Sequence, residues 1–297
     1  MTITEAFAFF DVHVIQNAGM KEKSRKNYAT AVNSLITCVS DLPIEFLGLD
    51  HIITWKLDMR SRGLTNATIN TNLSRVRGIL RFLSEHEQHV MDFEQIKRDK
   101  EIHVPHTVLT PAEVGLLMEH TKTARDRALI ALYFGTGCRL SEILGIDRDA
   151  FDKAPVVDEV NNIYEIWVCG KGDKYRPVCF SQEVKDVVDK YLDTRLDYFR
   201  PLFMSNQNRR LGPSRVEKMV HEVTRRAGLD KRVTPHVFRH SYVTDLAANG
   251  APIPTISKLV GHKNANVTLG IYTHISVGQG IKAYANYHSG PVVKSPQ

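Results

Sequence analysis

Thr136-Gly137-Cys138-Arg139-Leu140-Ser141-Glu142 closes one helix and opens another. The preceding run, ARDRALIALYF, is an apolar-rich helix that ends near Gly135. A glycine-permitted turn then presents Arg139 at the start of the next helix. A guanidinium there can bind a phosphate bidentately, and the helix N-terminus adds its own partial positive charge. Glu142, one turn on, is placed to orient Arg139. Alone, the string also fits a surface arginine with an acid three residues away.

Three further clusters follow. In Thr234-Pro235-His236-Val237-Phe238-Arg239-His240, Thr234 caps a helix, Pro235 begins it and Gly250 ends it. His236 and Arg239 are three apart and share a face. In Leu259-Val260-Gly261-His262, Gly261 ends a short helix that begins after Pro254, which places His262 at a helix terminus. Ile271-Tyr272-Thr273-His274 supplies a tyrosine, a nucleophile once its proton is removed. Between the first two clusters, IYEIWVCGKGDKYRPVCF reads as a β-hairpin turning at Gly-Lys-Gly-Asp-Lys. Lys171 on that turn can protonate a leaving oxygen, with Lys174 as the rival.

These parts suit one reaction. Phosphodiester transfer without a metal needs cationic groups on the non-bridging oxygens, a nucleophile and an acid. Arg139 and Arg239 would stabilise the phosphorane, each contributing about 2.7–4 kcal/mol by analogy with an oxyanion-hole donor. His236 and His262 would hydrogen-bond or exchange protons with the phosphate and Tyr272. Lys171 would protonate the departing 5′ oxygen. No metal and no cofactor are expected.

Outward from this region, the first hundred residues read as helical. In KSRKNYATAVNSLITCV, Ser24 is the expected N-cap, with Tyr28, Val32, Leu35 and Val39 at helical spacing. In LTNATINTNLSRVRGILRFLSEH, Ile69, Leu73, Val76, Leu80 and Leu83 form an apolar stripe. The opposite face carries Asn70, Ser74, Arg77 and Arg81, which are candidates to grip DNA phosphates. RDKEIHVPHTVLT breaks the pattern and reads as a linker. Thr110-Pro111-Ala112-Glu113 restarts a helix with a capping box. The expected organisation is a helical domain over 1–100, a linker over 101–110 and a second domain over 111–297. The second is mostly helical with a small β-hairpin, and includes the amphipathic segments EVKDVVDKYLDTRL and PSRVEKMVHEVTRRAG.

The 297 residues carry a net charge of +6, which favours a polyanionic partner. The densest basic stretch runs from 206 to 232 and contains Arg209 and Arg210, two further candidate DNA contacts. No apolar run is long enough for a membrane span, and the N-terminus does not read as a signal peptide. Cys38, Cys138, Cys169 and Cys179 show no paired spacing and read as reduced intracellular thiols, with no zinc site.

The strings TGCRLSE, GKGDKYR, TPHVFRH, LVGH and IYTH occur in an order and at spacings that resemble the tyrosine recombinase (phage integrase) family, in its Xer-like two-domain form. They span residues 136–274. The resemblance implies a helical core-binding domain followed by an α+β catalytic domain, the pair clamped round duplex DNA. It implies catalytic roles for Arg139, Lys171, His236, Arg239, His262 and the nucleophile Tyr272, with Glu142 in support. It further implies a 3′-phosphotyrosyl link, strand exchange through a Holliday junction, and a homotetramer on two double-stranded DNA sites. A second recombinase or an accessory protein is a possible partner, and the setting is the cytoplasm, at the nucleoid. The biological outcome would be integration or excision of a mobile element, or resolution of replicon dimers. The alternatives are a relaxase similar to type IB topoisomerases and a non-catalytic DNA-binding regulator on the same fold.

Overall fold

The stripe Ile69, Leu73, Val76, Leu80 and Leu83 is buried along one side of a long helix, as its 3.6-residue period requires. That helix belongs to the first of two compact units, Met1–Val104 and Pro105–Gln297, of a computed structural model that describes residues 1–17, 19–20, 22–100, 106–170 and 173–261. In the first unit α1 (Ile3–Phe10) runs into a wider helical turn over Asp11–Gln16. It is followed by α2 (Glu22–Val39), α3 (Leu49–Ser61) and α4 (Asn66–Glu85). Val32 and Leu35 of α2, and Ile52, Trp55 and Met59 of α3, meet the α4 stripe in one core. Helix α2 starts at Glu22, so Ser24 lies inside its first turn and is not the N-cap.

The second unit contains α5 (Pro111–Glu119), α6 (Ala124–Thr136), α7 (Leu140–Gly145) and α8 (Arg148–Asp152). A sheet of β1 (Val156–Asp158), β2 (Ile163–Cys169) and β3 (Tyr175–Ser181) follows. Then come α9 (Gln182–Leu192), α10 (Pro213–Arg226), α11 (Pro235–Ala248) and α12 (Ile253–Val260). The hairpin has the expected strands, with Ile163 opposite Ser181 and Cys169 opposite Tyr175, and β1 adds a third antiparallel strand beside β2. The architecture is mainly α with a small β-sheet. Its core packs Leu129, Leu132 and Tyr133 of α6 against Val188 of α9, Phe238 of α11 and the inward strand residues Ile166, Val168, Val178 and Phe180.

Helix termini follow local chemistry. Thr110 and Glu113 form the expected capping box on α5, with Pro111 in the first turn. Thr234 occupies the N-cap of α11, but its side chain makes no capping hydrogen bond. Helix α12 starts at Ile253, so Pro254 sits within its first turn, and it ends at Gly261 as expected. Residues 106–110, read as part of a linker, belong with the second unit. Leu109 is buried there, and its N–H donates to the Ser241 hydroxyl of α11 at 2.7 Å.

Candidate active site

Helix α6 ends at Thr136, one residue past Gly135. Its terminating residue is Gly137, at φ +58°. A Cβ there would stand 2.2 Å from Cδ1 of Tyr242, so both the backbone conformation and the close approach require glycine. Gly135 remains helical and packs against Val184 of α9. After the turn Cys138 is buried, and Arg139 becomes the N-cap of α7.

Glu142 lies beneath Arg139, and only 1% of it is exposed. Its carboxylate accepts the Arg139 backbone N–H at 2.8 Å and Nη1 of the same residue at 2.7 Å. Nη2 of Arg176, from β3, donates at 2.8 Å to the same oxygen that accepts the Arg139 backbone N–H. Burial by itself would raise this carboxyl, but the Arg139 N–H and the Arg176 guanidinium outweigh it and hold the value below the ordinary range.

Three arginines meet at the end of α12. Nη1 of Arg176 donates to the Leu259 carbonyl at 2.5 Å. Nη2 of Arg239 donates to the Val260 carbonyl at 2.6 Å, and Nη2 of Arg139 to the Gly261 carbonyl at 2.9 Å. These consecutive carbonyls lie beyond the reach of the helix's own N–H donors, and guanidiniums suit the negative end of a helix dipole. Arg239 also donates to the Gly137 carbonyl at 2.7 Å, which ties the end of α6 to the end of α12. Only 5% of Arg239 is exposed. Desolvation, reinforced by the nearby Arg139 charge, brings its guanidinium down to about 10. Three guanidiniums against one carboxylate leave this locus electropositive, as an anion site requires.

His236 sits at the exposed first turn of α11, one turn before Arg239. Partial desolvation and the charges of Arg239 and Arg139 keep its imidazole below the usual histidine value. At the neck of the hairpin, the Gly170 N–H donates to the Lys174 carbonyl at 2.8 Å. A Cβ on Gly170 would stand 3.4 Å from Glu142 Oε1, so the hairpin packs directly on the carboxylate that holds Arg139. Lys174 is exposed. Lys171, His262 and Tyr272 lie outside the described residues.

The structure therefore brings together Arg139, Glu142, His236 and Arg239, and adds Arg176, to which the sequence reading assigns no role. A signal for it exists. Arg176, Val178 and Phe180 alternate along β3, so the arginine shares the strand face of two buried apolar residues. A cation in register with a core face needs a buried partner.

The candidate DNA contacts fare differently. Asn70 is a correction: it is 0% exposed, and its side-chain amide bonds both backbone groups of Asp99, donating to the carbonyl at 2.9 Å and accepting the N–H at 2.7 Å. Buried on α4, it cannot reach a phosphate. The period-3.6 reading fails there because an amide satisfied at both ends can replace an apolar residue. Arg77 pairs with Glu94, which also lies 3.5 Å from Arg81, and the Arg81 guanidinium stands 5.4 Å over the Phe93 ring. Arg210 donates to the Leu144 carbonyl at 2.7 Å and to Asp147 at 2.6 Å, so it holds its own loop to the end of α7. Arg209 is exposed, with no ion-pair partner among the described residues. Among the described residues no cluster of three or more His, Cys, Asp or Glu is placed to hold a metal ion, and no helix is long and apolar enough to cross a membrane.

Comparison with known proteins gives a consistent result. Residues 107–278 match the model of the phage integrase family. The chain is 28% identical over 275 residues to tyrosine recombinase XerC of Serratia marcescens, covering 88% of this chain and 87% of the relative. It is 31% identical over 255 residues to XerC of Lactobacillus delbrueckii subsp. bulgaricus, covering 78% and 81%. Among solved structures it superposes on a Tn1549 transposon integrase in complex with transposon right end DNA. That match has a TM-score of 0.76, 18% identity, and covers 97% of this chain and 99% of the other. The XerH site-specific recombinase bound to a palindromic difH substrate matches with a TM-score of 0.73 and 18% identity, over 89% and 80% of the two chains. At these identities the structural matches speak to the fold.

Proposed function

The chain belongs to the phage integrase family and is a site-specific tyrosine recombinase, and from that premise we propose how its residues divide the reaction. The Tyr272 oxygen attacks the scissile phosphorus. One bond forms between that oxygen and phosphorus, and the bond to the 5′ oxygen breaks. The 5′ oxygen leaves with a proton from Lys171, and a 3′-phosphotyrosyl link remains. Attack by a 5′ hydroxyl of the partner strand reverses the step and exchanges strands, passing through a Holliday junction. Because the phosphodiester energy is kept in the covalent link, no cofactor enters the scheme.

Arg139 and Arg239 hold the non-bridging oxygens as charge builds on them. His236 and His262 hydrogen-bond the phosphate and manage the tyrosine proton. Glu142 fixes Arg139. The substrate is a double-stranded DNA site. The first unit serves as the core-binding domain and the second as the catalytic domain, and four protomers assemble on two sites, at the nucleoid in the cytoplasm. Arg77, Arg81, Arg209 and Arg210 remain contact candidates. Of these, Arg209 is the one whose guanidinium needs no release from an intramolecular partner among the described residues. A relaxase or a non-catalytic regulator is not favoured, since the relatives matched over most of the chain are recombinases.

The observation that carries this reading is the convergence of Arg139 and Arg239 on the adjacent carbonyls of Gly261 and Val260, immediately before His262 in the chain. The test uses a nicked duplex whose core is drawn from the tightest binders in a random-sequence library. Wild-type protein should be trapped as a covalent DNA adduct, and Tyr272→Phe should form none. An adduct that persists in Tyr272→Phe removes that residue from its role.

A further inference from the structure

Arg176 is bound by three groups that belong to three different parts of the site. Its Nη2 reaches the Glu142 carboxylate on α7 at 2.8 Å and lies 3.7 Å from the Cys138 sulfur. Its Nη1 reaches the Leu259 carbonyl at the end of α12. Its aliphatic part and Nε pack so closely on Gly261 that a Cβ there would stand 2.8 Å from Cδ. Its own strand, β3, is one arm of the hairpin whose neck rests on Glu142. The Nε hydrogen is buried with no acceptor among the described residues, a cost that the other contacts must outweigh.

The placement matters because Glu142 has two jobs. One carboxylate oxygen holds the Arg139 guanidinium, and the other accepts both the Arg139 backbone N–H and the Arg176 guanidinium. Without Arg176, a carboxylate buried to 1% exposure would face Arg139 alone, and the α12 carbonyl row would lose one of its three cations. The carboxylate would then be free to turn towards Arg139 and draw that guanidinium inward, away from an incoming phosphate. A buried charge left short of a partner reorganises its surroundings.

We infer that Arg176 is a positioning residue for strand cleavage: by holding Glu142 and the Leu259–Gly261 carbonyls together, it sets the direction in which Arg139 meets the scissile phosphate. This inference rests on the recombinase mechanism proposed above.

The experiment compares wild type, Arg176→Gln and Arg176→Lys on two nicked duplexes of the selected core sequence. One has a normal scissile phosphodiester and the other a methylphosphonate at that position. The methylphosphonate lacks one ionised oxygen, so its transition state depends less on the angle of a guanidinium. On the phosphodiester, Arg176→Gln should slow adduct formation by about 10²-fold, the order expected for a misplaced catalytic group. On the methylphosphonate the deficit should shrink to less than about tenfold, because the group being misplaced is worth less there. Arg176→Lys, the milder change, should show the same contraction from a smaller starting deficit, and it carries the test if the glutamine variant fails to fold. Equal deficits on both duplexes, in whichever variant folds, would overturn the positioning role while leaving the mechanism standing. A wild-type protein that forms no adduct on either duplex would overturn the mechanism itself, and the inference with it.

Discussion

The imidazole rings of His106 and His240 lie parallel, with centroids 4.6 Å apart and 9° between their planes. His106 stands just ahead of α5, and His240 is on α11, one residue after Arg239. The stack, together with the Leu109 N–H to Ser241 bond, fastens the start of the second unit to the helix that carries His236 and Arg239.

The stack has a pH signature. Burial, followed by His106, His236 and the Arg239 charge, brings His240 down to about 4 from an ordinary 6.5. A base whose folded value is depressed favours folding when neutral. Its contribution is therefore intact above its unfolded value near 6.5, declines as the pH falls from there, and is gone below about 4. Melting temperature measured from pH 7 to 4 should fall more steeply for wild type than for His240→Phe, which keeps an aromatic ring on His106 but cannot take a proton. Parallel curves would show that His240 is not the titrating group.

Glu142→Gln keeps the shape of the side chain and removes the charge between Arg139 and Arg176. Breaking a buried pair of this kind costs about 3–5 kcal/mol, and urea unfolding at neutral pH should register a loss of that order. The folded carboxyl is held below its ordinary value of 4.5. Depression of that carboxyl accounts for part of the loss, so the stability difference from wild type should be full above pH 4.5 and narrow as the pH falls through the folded value. A difference that stays constant into acid would assign the loss to packing.

Gly137→Ala faces two penalties. A left-handed alanine costs about 1–2 kcal/mol, and forcing a methyl into the Tyr242 ring costs about 1–3 kcal/mol more. The same residue supplies the carbonyl that holds Arg239, so adduct formation should fall together with stability. On a Tyr242→Ala background, urea unfolding should show Gly137→Ala costing less than it does in the wild-type protein, because only the steric component is relieved. A Gly137→Ala change that costs nothing on that background would mean that the left-handed backbone carries no cost.

Asn70 and Arg209 should separate on a salt titration of DNA binding. Asn70→Ala removes two buried hydrogen bonds and should destabilise the first unit by about 1–3 kcal/mol, leaving the slope of log affinity against log salt unchanged. Arg209→Ala should leave stability unchanged and flatten that slope by about 0.9, the amount for one phosphate contact. An unchanged slope in Arg209→Ala would take that residue off the DNA.

Part of this molecule is written in local order along the chain. The α4 stripe, the Thr110–Glu113 capping box, the two hairpin strands and the helix end at Gly261 follow from side-chain periodicity and terminus chemistry, which act over a few residues. The Arg139–Glu142 pair is legible for the same reason, since three residues on a helix share a face. Where local rules leave a choice, the reading slips by a residue or two. Ser24 lies inside α2 rather than capping it, and the glycine that terminates α6 is Gly137, because Gly135 can still pack as a helical residue against Val184.

Local order along the chain names the residues able to take part: two arginines, a histidine and an acid at helix starts, within a mainly helical chain that has one hairpin. Which of them meet is settled by long-range packing. Arg139 reaches a carbonyl 122 residues away, Arg239 one 102 residues away, and Arg176 a carboxylate 34 residues away. Asn70 turned inward to Asp99 in the same way. The reason is physical: a buried polar group must find a partner, but its own chemistry accepts any carbonyl or carboxylate, so the packing of the helices makes the selection.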